Sequence, residues 1–187
     1  MVEIEGLLAR LRAAGVNIEL GAPDAEPERR RTGGAWRLPP SYRALLAIAR
    51  SWSATDDDGR GIVVYDAREM ASVNRDLVHM PPGVCRYDGE ELTTRHLIGF
   101  ASAHHEAVWC FDITAPDAAG EYPVVYHHQD APRAKLAASG AWEDERRPEF
   151  ASLRHWLKVH VEALCGDAKP AWWSDLGVPE LWQWDRF

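Results

Sequence analysis

Apolar positions along the chain fall into short periodic runs separated by polar breaks rich in Pro and Gly. Ile4, Leu7, Leu8 and Leu11 follow the i, i+3, i+4, i+7 spacing of one helix face. Gly15 is placed to end that helix, since glycine enters the left-handed region without steric cost. The pattern fails from Gly21 to Gly34, where Pro23, Pro27, Gly33, Gly34 and the run Arg29-Arg30-Arg31 mark a polar loop. A second helix is expected from Leu38-Pro39-Pro40-Ser41-Tyr42, with Tyr42, Leu45, Leu46 and Ala49 on one face, stopping before Thr55-Asp56-Asp57-Asp58-Gly59. Ile62 to Tyr65 is short and β-branched and reads as a strand. Met70, Val73 and Leu77 suit a short helix that Pro81-Pro82-Gly83 ends.

Leu97 to Ala101 and Val108 to Asp112 are the next strand candidates, with Ser102 to Ala107 as their hairpin loop. Tyr122 to Tyr126 adds another, spaced like an antiparallel meander. Phe150, Leu153, Leu157, Val161 and Leu164 then form the clearest helical stripe, with Pro148 and Glu149 in its first turn and Gly166 at its end. Helix, strands, helix is the order of an α+β fold, a mostly antiparallel sheet flanked by N- and C-terminal helices. The division this suggests is a helix over 1–20, a loop over 21–37, a domain over 38–165, and an aromatic tail over 166–187 that packs on it.

Composition adds limits. The 187 residues are 46% apolar and 27% charged, ordinary for a folded domain. The formal net charge is −8 and the pI about 5.5, which disfavours nucleic acid or an anionic membrane as partner and suits a basic protein. No apolar run is long enough to cross a bilayer, and Met1-Val2-Glu3-Ile4-Glu5 carries acids where a signal peptide carries Lys or Arg, so the expected compartment is the cytoplasm. Cys85, Cys110 and Cys165 are odd in number and widely spaced, as expected of reduced thiols. Four of the nine tryptophans, Trp172, Trp173, Trp182 and Trp184, lie in the tail, where packing on the core is the favoured role.

Candidate chemistry is sparse. The chain has no phosphate loop, no dinucleotide fingerprint, no His-Glu-x-x-His, no Cys-x-x-Cys and no nucleophile elbow, so no catalytic set, metal site or cofactor is assigned. His104-His105 and His127-His128 could bring imidazoles around zinc, but adjacent residues on an extended chain point to opposite sides. His155 and His160 are spaced wrongly for one helix face. Cys110, between Trp109 and Phe111, reads as a buried and inert thiol. The acidic loops Asp56-Asp57-Asp58 and Glu143-Asp144-Glu145 remain as contact candidates, with Trp52 and Trp142 as nearby anchors.

The order of segments also resembles a known group. The pieces are the Leu38-Pro39-Pro40-Ser41-Tyr42 helix, the Asp58-Gly59 turn, the strand Ile62 to Tyr65, and the short helix ending near Val73-Asn74. After them come Leu97-Ile98-Gly99-Phe100-Ala101, Val108-Trp109-Cys110-Phe111-Asp112, Pro123-Val124-Val125-Tyr126, and Phe150-Ala151-Ser152-Leu153 with Trp156-Leu157. Together, over roughly 38–164, they resemble the SUKH superfamily, which joins a fungal cell-wall-synthesis regulator to bacterial immunity proteins. The resemblance implies an α+β domain that binds rather than catalyses. Its bacterial members look like immunity proteins that block a toxin from the same locus, often a nuclease or deaminase. The alternatives are a regulatory or scaffolding module of the same fold, and a metal-dependent hydrolase built on the loop histidines.

Overall fold

Helix α1 (Val2–Ala13) forms where the first apolar stripe lies, burying Ile4, Leu8 and Leu11. Gly15 ends it at φ +74°, with Gly15 N–H on Arg12 O and Val16 N–H on Leu11 O, the paired bonds of a Schellman cap. A computed structural model describes residues 2–23, 36–56, 59–143 and 149–179. Beyond the cap the chain turns into strand β1 (Asn17–Leu20), so the helix stops at Gly15 as expected and the remainder of the 1–20 segment is a strand. Helix α2 (Pro40–Ile48) follows, burying Ser41, Tyr42, Leu45 and Leu46. Its N-terminus has no local side-chain cap; Glu121 supplies one, accepting from Ser41 N–H (2.8 Å) and Ser41 Oγ (2.5 Å).

Strands β2 (Trp52–Thr55) and β3 (Gly61–Val64) come next. Residues 52–54, expected to continue the second helix, are instead extended. Trp52 and Ala54 alternate inward with Ser53 and Thr55, and β1 and β3 satisfy both backbone edges. Helix α3 (Ala67–Val73) starts at a capping box. Asp66 Oδ1 accepts from Arg68 and Glu69 N–H, and Glu69 returns a carboxylate oxygen to Asp66 N–H. It runs into a π-helical turn, Asn74–Val78.

Two short strands, β4 (Arg86–Tyr87) and β5 (Glu90–Thr93), then form a hairpin. Neither was expected, because they are brief and polar, without apolar alternation. Strands β6 (Leu97–Ser102), β7 (Ala107–Asp112) and β8 (Val124–His128) realise the expected meander, with β8 set two residues later than its pattern suggested. Strand β9 (Lys135–Leu136) pairs with β5.

The final helix, α4 (Leu153–Leu164), begins at Ser152, whose Oγ accepts from His155 N–H. Phe150 and Glu149 lie outside its first turn: Phe150 bridges to Val124, and Glu149 is buried beside Arg133. Pro148 falls outside the described residues. Gly166 closes the helix at φ +79°.

The main sheet has the order β1-β2-β3-β6-β7-β8, and the second sheet β4-β5-β9; all pairs are antiparallel. With its helices at both ends of the chain, this is the expected α+β class. One sheet face packs on α1, α2 and α4 through Tyr42, Phe100, Phe111, Trp109 and Trp156, with Phe100 and Phe111 stacked at 4.2 Å. The other face carries Leu97, Val108, Cys110 and Val125 under Val78 of the π turn. Trp172 and Trp173, in a 3-10 turn (Ala171–Asp175), are buried against Trp109 and His160. They close the core as the tail was expected to; Trp182 and Trp184 lie outside the described residues. Among the described residues no helix is long and apolar enough to cross a membrane.

Candidate functional site

Of the expected contact residues, Trp52, Asp56, Trp142 and Glu143 are described, and these four do not share one exposed surface. Trp52 is 2% exposed and belongs to the core, so it cannot serve as a surface anchor; its alternation in β2 turns it inward. The Asp56 side chain is 6% exposed and works internally. It accepts from Arg60 N–H (2.9 Å), Lys169 Nζ (2.9 Å) and Trp173 Nε1 (3.2 Å), tying the tail to the β2–β3 turn. Burial raises its pKa, but these hydrogen bonds outweigh burial and hold the carboxyl below the ordinary range. Trp142 is half-buried on the opposite sheet face, under Lys135 Nζ (4.3 Å) and Arg133 (5.6 Å) and edge-on to His96. Glu143 beside it is half-buried. Asp57, Asp58, Asp144 and Glu145 lie outside the described residues, as does Arg29-Arg30-Arg31.

The histidines do not converge either. His104 and His105 sit exposed in the β6–β7 loop, both with positive φ (78° and 47°) and rings 4.0 Å apart. His127 is buried; its Nδ1 accepts from Arg133 N–H, leaving Nε2–H to donate to Leu77 O (3.1 Å). Burial brings its pKa down to about 4. His128 Nδ1 accepts from Asp130 N–H. His160 is enclosed by Trp156, Trp109, Trp172 and Phe150, and burial takes it down to about 3. Among the described residues no group of three or more His, Cys, Asp or Glu side chains is arranged to hold a metal ion. Cys110 is fully buried, and burial pushes its thiol well up, away from the reactive thiolate.

Packed against Trp142 is a buried polar layer. Lys135 Nζ donates to Asp112 (2.8 Å) and Thr114 (2.7 Å), and Thr114 Oγ1 donates to Asp112 (2.6 Å). Burial raises the Asp112 pKa, yet the hydrogen bonds from Lys135 and Thr114 prevail and hold it low. Nearby, Arg133 and Glu149 form an ion pair with both side chains almost fully enclosed. This layer locks the 133–143 segment onto β7 and β8.

A concave groove lies elsewhere, between α3, the π turn and β6, with a volume of about 890 Å³. Met70, Ile98 and Tyr122, each nearly buried, make its floor. Trp36, edge-on to Tyr122 at 6.5 Å, and Ile113 wall one side; Met80, Pro81 and Pro82 wall another. Asn74 fixes the floor. Its Nδ2 donates to Met70 O (2.8 Å) and Gly99 O (3.0 Å), while its Oδ1 accepts from Gly99 N–H (2.8 Å). It thus ties the π turn to the register shift between Gly99 and Ala101 in β6. A π turn and a strand irregularity joined at one point are features that concentrate at functional sites. His79 Nε2 donates to Leu97 O, and Thr94 Oγ1 accepts from Met80 N–H and donates to Val78 O, fastening the wall.

Arg75 and Arg95 stand exposed at the rim. Arg75 pairs with both oxygens of Asp76 (2.7 and 2.8 Å). Arg95 has no ion pair among the described residues. Apolar walls with a few convergent polar groups, at this volume, are the usual make-up of a binding site. No sequence pattern links these residues, because they come from five separate stretches of chain. One local signal was there to read: Asp66-Ala67-Arg68-Glu69 is a capping-box pattern that marks the start of α3.

No family model matches this chain, and no curated protein matches it.

Proposed function

We propose that this protein is an immunity-type binding protein of SUKH-like architecture that acts in the cytoplasm by direct contact with a cognate toxin domain, a nuclease or deaminase, and not by catalysis. The observation that carries this reading is the ordered set of segments over 38–164. The helical and strand segments among them form α2, β3, α3, β6, β7, β8 and α4 of one α+β body, which supports the reading. The net charge of −8 supports it, since it would speed encounter with a basic partner. The preformed groove offers such a partner a concave, largely apolar contact.

Co-expression with the toxin domain encoded beside it should restore growth and yield a complex that survives gel filtration. A chain with no toxin domain nearby that captures no protein would overturn the reading.

A further inference from the structure

The groove wall at Pro81 and Pro82 leads along the chain into the β4–β5 hairpin, and Arg95 follows that hairpin back at the rim. The chain leaves the groove wall at Pro82 and passes through Val84 (62% exposed), in the bend before β4, to Tyr87 (51% exposed) in β4 itself. Val63 is the other exposed large hydrophobic among the described residues. Strand β4 stands at the edge of its sheet, with no strand paired to its outer side among the described residues. We infer that this groove and hairpin together dock an extended polypeptide segment of the partner, one that carries apolar side chains beside a carboxylate.

The inference rests on the protein-binding reading and names the surface that performs it. The apolar walls select the side chains, and Met70 and Met80 adapt to their shape. Arg95, exposed at the rim without a carboxylate partner among the described residues, selects the acid. Arg75 adds less, because Asp76 already neutralises it. A small ligand would fill the groove and leave Val84 and Tyr87 uncovered; an extended segment covers both and can add a strand to β4. An acidic anchor is compatible with a basic partner. The net charge acts at long range on approach, while the rim acts at contact distance on register.

The test is selection from random linear peptides displayed on phage, followed by fluorescence anisotropy of the labelled winners. Selected peptides should place Asp or Glu beside Trp, Phe or Leu. Arg95→Glu should weaken them about tenfold or more, and exchanging the peptide acid for Lys should restore binding to that variant. Val84→Asp with Tyr87→Asp should also weaken binding; all three side chains are exposed, so the fold is retained. Peptides without charge preference, or binding unmoved by Arg95→Glu, would overturn the inference. So would Arg95-dependent binding of 1-naphthoate with no peptide selected, which would make the groove a small-molecule site. If these variants still neutralise the cognate toxin, the docking surface is refuted and the immunity reading stands. If the peptides behave as expected and no toxin is neutralised, the reverse holds.

Discussion

Replacing Asp112 by Asn leaves the Lys135 ammonium in a site built for a counter-charge. The Asp112 side chain is 2% exposed and that of Lys135 10%, so water replaces little of what is lost. Stripping one partner from a buried pair costs about 3–5 kcal/mol. The lower end applies here, since Lys135 keeps Thr114 and the Trp142 ring as neighbours. A loss of about 3 kcal/mol lowers Tm by roughly 6–12 °C in a chain of this size. Lys135→Met should cost about 2–3 kcal/mol, because Asp112 retains the Thr114 N–H and O–H. The double variant should cost less than the two singles summed, by about 2 kcal/mol or more, since neither orphan remains.

Urea unfolding followed by tryptophan fluorescence at neutral pH measures all four corners of this cycle. The pH dependence has a definite sign. The Asp112 pKa is held below the unfolded value, so its contribution is full above about pH 4 and is lost as pH falls through the folded value. The gap between parent and Asp112→Asn should therefore close in acid. Single variants that each cost under about 1 kcal/mol, or costs that simply add, would refute the idea that this pair holds the 133–143 segment in place.

Three further outcomes are expected. Leu153→Asp puts a charge at a fully buried position on α4 and should cost about 3–5 kcal/mol; an unchanged melting curve would mean the helix face is misassigned. At Gly61 an added Cβ would lie 1.9 Å from Ala54 O and 2.8 Å from Thr55 Cα, so Gly61→Ala must splay β2 from β3 and should lose about 3 kcal/mol or more in chemical denaturation. Asp56→Asn should loosen the tail, read as faster amide exchange around Trp173. Its stability deficit should shrink as pH drops below about 4, because the Asp56 carboxyl is held low in the folded state.

The elements with strong local periodicity were legible from sequence. The stripe from Leu153 to Leu164, the β6–β7 hairpin, and the glycine stops at Gly15 and Gly166 each follow from side-chain spacing and backbone sterics within a few residues. Those are local energies, and they place the chain in the α+β class.

What depended on distant partners was not legible. The stretch 52–54 reads as helix alone and becomes strand only because β1 and β3 complete its hydrogen bonds. Glu121 caps a helix 80 residues earlier in the chain. Asp56 looks like a surface acid until Trp173 closes over it. The groove belongs to the same category: its floor, walls and arginine rim meet only after Asn74 has pinned the π turn to β6. Spacing along a chain encodes which face a residue takes, while tertiary packing decides which faces meet and therefore where the binding surface lies.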